Sequence, residues 1–343
     1  MLPPTLTRLL TRFAPWYLPV AAFASFVQLV GGGWDINWHL AEIPEVFWTP
    51  PHVVLYAGAS VVIAATGATF LLRWAGVVQP RSVRLPVTLA FSGALLQVVA
   101  GAFDQAWHAA FGADDALSPP HVLLTSALLL TAISLLVALH GMRRQEAVPR
   151  TATWVAHAVA AASVGWALWG LLFVTLFPGF NATRWLVEPF GWRLFVGAAF
   201  AMTTPLIVFS AARFVGKRGA ATVAAGTQVA GFVAISALMG ELSPLTAALS
   251  PIFLIPGILV DLVYRPGSAR APYVPIALGA VVGQFAFLTG GIVDVMTAPW
   301  TVPAAFALAY VAGGVAAALI ALSLGDLADG MAAKDPRPSA APV

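Results

Sequence analysis

Residues 34–55 read WDINWHLAEIPEVFWTPPHVVL, and residues 103–124 read FDQAWHAAFGADDALSPPHVLL. At an offset of 69, Asp35, Trp38, His39, Pro50, Pro51, His52, Val53 and Leu55 recur as Asp104, Trp107, His108, Pro119, Pro120, His121, Val122 and Leu124. Upstream, Gln28 and Gly32 recur as Gln97 and Gly101. An internal repeat constrains architecture before any element is assigned. Each copy joins the end of one apolar run to the start of the next, so the repeating unit is a hairpin of two helices.

Working outward, apolar runs of about 20 residues, long enough to cross a bilayer, fall at 16–34, 53–74, 87–106, 121–141, 152–177, 193–214, 219–239, 246–264, 272–294 and 302–324. They predict an all-α polytopic integral membrane protein of about ten transmembrane helices, with helices 1–2 duplicated as helices 3–4. Composition agrees. Of the 343 residues, 60% are hydrophobic and 9% charged, with a mean hydropathy of +0.88. A soluble domain carries roughly 25% charged residues to wet its surface, so a pair of soluble domains is excluded. The absence of cysteine excludes disulfides, thiolate metal sites and iron–sulfur clusters. No small-residue cleavage site follows Arg8 and Arg12, so the first span is expected to remain uncleaved.

The pI near 9.6 does not indicate nucleic acid, because the cations lie in short connections between apolar runs. With ten spans, Arg8, Arg12, Arg73, Arg81, Arg84, Arg143, Arg144, Arg150, Arg213, Lys217, Arg218, Arg265, Arg270, Lys334 and Arg337 share one side, against Arg184 and Arg193. That bias predicts cytoplasmic termini in an inner plasma membrane, with the repeated motifs near the outer face. Asp35, Glu42, Glu45, Asp104, Asp114, Asp115, Glu188, Glu241 and Asp294 fall in or beside the opposite connections. Loops rich in carboxylates favour cations. Three regions follow: 1–142, a duplicated hairpin unit of four helices; 143–324, six helices of unassigned role; and 325–343, a Pro-rich tail read as disordered and cytoplasmic.

The shared pattern is D-x3-H-x12-H. Asp and His at i, i+4 share one helix face. The Pro pair suits the first turn of the next helix, where a missing N–H costs nothing, and Thr49 and Ser118 precede it as N-caps. Each hairpin thus offers two imidazoles and one carboxylate to a single point: Asp35, His39 and His52, then Asp104, His108 and His121. Such a set suits copper, zinc or non-haem iron. The plainer alternative is a boundary histidine bonded to its neighbouring Asp. Duplication of all three ligand types favours metal, since ionisable groups at membrane depth cost roughly 2.5–3.5 kcal/mol on insertion scales and tend to be functional.

The segments DINWH…FWTPPHVVLY and DQAWH…LSPPHVLL resemble the C subunit of copper membrane monooxygenases, the particulate methane and ammonia monooxygenase family, over about residues 16–141. The resemblance implies copper held by Asp35, His39 and His52, and by Asp104, His108 and His121. It also implies oxidation of a small apolar substrate with O2 beside additional membrane subunits. Asp104 stands where methane-oxidising members carry Asn, which adds negative charge to the second set. The first copy keeps the fuller signature, through Thr49 and Val53-Val54, so it is expected to bind metal more tightly.

Other polar positions have blander readings. Gln28 and Gln97 support the site or bond between helices. Trp38 and Trp107 fit the aromatic belt, and His140 and His157 sit at the far helix ends in packing or loop roles. Gln228, Glu241, Gln284 and Asp294 are weak candidates without histidine. Alongside a copper-dependent monooxygenase subunit stand two alternatives: a non-catalytic metal-handling protein (transporter or insertion factor) and a structural subunit of a membrane complex. A homo-oligomer is compatible with each.

Overall fold

The computed structural model describes residues 3–41, 43–44, 46–76, 81–112, 117–143, 150–176, 190–241, 250–264, 274–283 and 303–334. Its helices are α1 (Pro4–Leu40), α2 (Pro50–Trp74), α3 (Arg81–Phe111), α4 (Pro119–Arg143), α5 (Arg150–Leu176), α6 (Phe190–Ala201), α7 (Thr203–Val215), α8 (Ala220–Leu238), α9 (Ile255–Val263), α10 (Val274–Gly283) and α11 (Pro303–Ala333). A 3-10 turn at Ser250–Leu254 leads into α9. No strand occurs among the described residues. Among the described residues, eight spans, with α6 and α7 sharing one, are long and apolar enough to cross a membrane, and two shorter apolar helices accompany them. The chain is an all-α polytopic membrane protein. Parts of the eighth and ninth expected spans lie outside the described residues.

Sequence explains the local features. Pro occupies the first turn of α1 and α2, and α4 likewise begins at Pro119. Ser118 caps α4, its Oγ accepting the His121 N–H at 3.4 Å. Thr49 holds the corresponding place before α2 but makes no side-chain cap. The sixth span is broken at Met202 because Pro205 cannot donate to the Ala201 carbonyl. Around the break, the Met202 N–H bonds to the Ala199 carbonyl at 3.1 Å and the Thr203 hydroxyl donates to the Phe200 carbonyl at 2.9 Å.

The duplicated hairpins pack at small residues, as membrane helices do. A Cβ on Gly58 of α2 would lie 2.8 Å from the Ala24 carbonyl oxygen and 2.9 Å from the Gln28 nitrogen of α1. In the second copy the glycine sits on the other helix: a Cβ on Gly93 of α3 would meet the Ala127 carbonyl oxygen of α4 at 3.1 Å. Helix α5 lies at the centre, against α1, α4, α7 and α8. Its stretch from Ala156 to Val164 is buried throughout, which the run of alanines permits.

The expected tail begins too early. Helix α11 continues to Ala333. Arg213 of α7 pairs with Asp326 at 2.8 Å and Asp329 at 2.7 Å, while His140 Nε2 lies 2.8 Å from Asp329. Two carboxylates one turn apart, met by a guanidinium, hold the helix beyond residue 325. Residues 335–343 lie outside the described residues.

Candidate metal centre

All six expected ligands lie at one end of the bundle. Asp35 and His39 occupy the last turns of α1, and Asp104 and His108 those of α3. His52 and His121 stand in the first turns of α2 and α4. The C-terminal ends of α1 and α3 carry the negative end of the helix dipole, which favours a cation there.

The two copies agree atom by atom. In the first, Asp35 Oδ1 lies 3.2 Å from His52 Nε2 and Oδ2 lies 3.8 Å from His39 Nε2. In the second, Asp104 Oδ1 lies 3.2 Å from His121 Nε2 and Oδ2 lies 3.5 Å from His108 Nε2. Each carboxylate is therefore bracketed by two imidazoles, one per oxygen. Around a tetrahedral ion with bonds of about 2.0–2.1 Å, neighbouring ligand atoms stand about 3.3 Å apart. Three of the four separations, each taken to its own carboxylate oxygen, are of that size; the His39 distance is longer.

Backbone carbonyls fix two of the rings. His52 Nδ1 lies 3.1 Å from the Phe47 carbonyl oxygen and His108 Nδ1 lies 3.2 Å from that of Gly112. A carbonyl only accepts, so Nδ1 carries the proton, and a neutral ring then turns its Nε2 lone pair toward the carboxylate. A lone pair facing a carboxylate at this range is repulsive unless a cation or a second ring proton lies between. Asp35 Oδ1 and His108 Nε2 are buried without a hydrogen bond. This is the usual outer support of a metal-binding histidine, and the donor set fits a metal ion.

The copies form one cluster rather than two distant sites. The His39 ring centroid lies 6.3 Å from those of both His108 and His121, nearly the 5.9 Å that separates those two from each other. His39 leans toward the second copy and lengthens its own contact with Asp35. Among the described residues, the set whose ligand atoms all fall within 4.8 Å of one another is Asp104, His108 and His121. The second copy is thus the more closely convergent, because the fuller signature around Thr49 does not set where His39 points.

Beside the cluster lies a cavity of about 580 Å³ reached by Asp35, His39 and His121. Its walls come from α1, α2, α4, α5, α8 and the 250–254 turn, and are chiefly apolar, with Trp166, Trp169, Phe173 and Phe232 on one side. Gln228 and Glu241 also line it. Sequence reasoning missed the α5 wall, since its tryptophans carry no motif.

The remaining candidates resolve as follows. Gln97 is buried and donates to Thr131 Oγ1 at 2.9 Å. Gln28 is fully buried with neither amide atom hydrogen-bonded, because the position matching Thr131 is Val62. Trp38 Nε1 donates to the Pro44 carbonyl at 3.4 Å. His140 joins Asp329, and His157 Nδ1 meets the Thr153 carbonyl at 2.5 Å, both far from the ligand cluster in sequence and fold. Glu42, Glu45, Asp114, Asp115, Glu188, Gln284 and Asp294 lie outside the described residues. No protein family, curated protein or solved structure matches the chain on comparison, so its site is read from its own residues.

Proposed function

We propose that the chain is a metal-binding membrane protein, with copper as the first candidate metal, acting as a monooxygenase subunit on an apolar substrate with O2. One observation carries this reading: in both hairpins an aspartate is bracketed by two imidazole Nε2 atoms, and the joint cluster borders an apolar cavity. Asp35, His39, His52, Asp104, His108 and His121 would hold the metal. Copper there would supply one-electron chemistry and open coordination positions for O2. Phe47 and Gly112 carbonyls orient the rings, and the apolar wall excludes water while admitting substrate. The two electrons that monooxygenation requires would come through partner subunits. The charge bias puts both termini in the cytoplasm and the cluster near the outer face.

Both ligand sets sit at one end of the bundle, which does not suit a transporter, since passage needs ligands along a path. Zinc and non-haem iron fit the same donors. The test is metal analysis of the protein purified in its membrane. About two equivalents are expected, lost from a His39→Ala, His108→Ala double variant. Metal content equal in both proteins would remove the basis for the assignment.

A further inference from the structure

The cavity lies beside a position at which the two copies differ. Tyr56 of α2 has Thr125 of α4 as its counterpart 69 residues on. At the seam of α2 and α3, the Tyr56 ring fills the space over Gly101: a Cβ there would lie 2.9 Å from the Tyr56 hydroxyl oxygen. The matching seam of α4 and α1 carries Thr125 and Gly32 instead. A Cβ on Gly32 would meet nothing nearer than Leu55 Cδ1 at 3.7 Å. On α5, a Cβ on Gly170 would meet only the Thr125 methyl carbon, at 3.9 Å.

Those two glycines differ from others in the bundle. At Gly31, Gly58, Gly93 and Gly257 an added Cβ would come within 3.2 Å of a neighbouring helix backbone, so glycine is there for close packing. Gly32 and Gly170 line the cavity and have room to spare. Their missing side chains keep it open. An apolar void of this size lacks the polar partners that would hold water along most of its wall, and each unfilled volume costs stability.

We infer that the cavity is a binding site for a lipid-soluble hydrocarbon of about ten carbons, taken from the bilayer and held with one end against Asp35, His39 and His121. At ~30 Å³ per water-sized group, 580 Å³ accommodates roughly 20 such groups, so a ligand of half that number fits with clearance. The wall supplies aromatic faces from Trp166, Trp169, Phe173 and Phe232. Phe232 and Phe253, both lining residues, remain 48% and 41% exposed, and they frame an apolar mouth. Oxidation of the occupant rests on the reading given above; its binding does not.

The test uses metal-stripped full-length protein in phospholipid nanodiscs, titrated with 1-bromodecane, whose bromine quenches tryptophan fluorescence. Trp166 and Trp169 report a saturable component over the linear quenching of lipid-facing rings. Gly170→Leu fills the space beside Thr125, and Thr125→Tyr installs the side chain of the first copy. Each is expected to raise the half-saturation concentration at least roughly tenfold, with helical content unchanged. Saturable quenching that neither variant alters, or linear quenching in all three proteins, overturns the proposal. So does equal saturable quenching by phospholipid brominated in its acyl chains, which would make the occupant a lipid tail. Because the protein is stripped, failure here leaves the metal reading standing, and failure of the metal analysis leaves this result standing.

Discussion

Gly58→Ala is the sharpest probe of the hairpin geometry. The added Cβ would stand 2.6 Å from Gln28 Cβ, 0.8 Å inside the 3.4 Å at which ordinary contact begins, and 2.8 Å from the Ala24 carbonyl oxygen. Backbone atoms cannot rotate away, so α1 and α2 must separate by about that 0.8 Å. Overpacking of this kind costs about 1–3 kcal/mol. The separation is felt at the cluster, since Asp35 lies on α1 and His52 on α2, now 3.2 Å apart. The second hairpin already carries the opposite arrangement, glycine at 93 and alanine at 127. Ala24→Gly combined with Gly58→Ala copies that arrangement and should recover at least half of the lost stability, read by denaturant unfolding in mixed micelles. Metal retention by the first ligand set should fall and return in parallel. A double variant no more stable than Gly58→Ala alone would refute the account of hairpin packing.

Three further outcomes are expected. Val62→Thr gives Gln28 the hydroxyl that Thr131 gives Gln97, and should stabilise the protein by about 0.5–1.5 kcal/mol in the same assay; no change would mean that Gln28 is satisfied by water. Arg213→Ala takes the guanidinium away from both Asp326 and Asp329, so amide exchange over residues 325–333 should accelerate while that of α5 does not. In single-ligand variants, His108→Ala should remove the tighter-held metal and His39→Ala should weaken both equivalents, as chelator competition would record; loss confined to one equivalent in the His39 variant would show that the copies act independently.

Much of this was legible in the sequence for identifiable reasons. The all-α membrane architecture followed from apolar run length, which the bilayer dictates, and the meeting of each Asp with two His residues followed from a spacing that two helical turns and a loop impose. The boundary of α11 was not legible, because Asp326 and Asp329 read as the polar start of a tail until Arg213, more than a hundred residues earlier, is seen beside them. The lean of His39 was equally hidden: spacing sets which face a side chain leaves from, whereas its direction depends on the neighbouring hairpin. Tyr56 and Thr125 were in plain view at the repeat offset. Only the void between α4, α1 and α5 gives their difference a meaning.

The duplicated unit contains two spans, and that parity has an evolutionary consequence. A segment that crosses an even number of times starts and finishes on the same side, so a tandem copy enters the membrane the right way up at once. Its Asp and His residues arrive at the same depth as those of the original without any change of loop charge. Had the unit held one span or three, the copy would have been inverted and its Asp and His stranded on the opposite surface. Even parity therefore lets a tandem copy bring its Asp and two His residues to the same end of the bundle as the original, while other positions differ, as Tyr56 and Thr125 do.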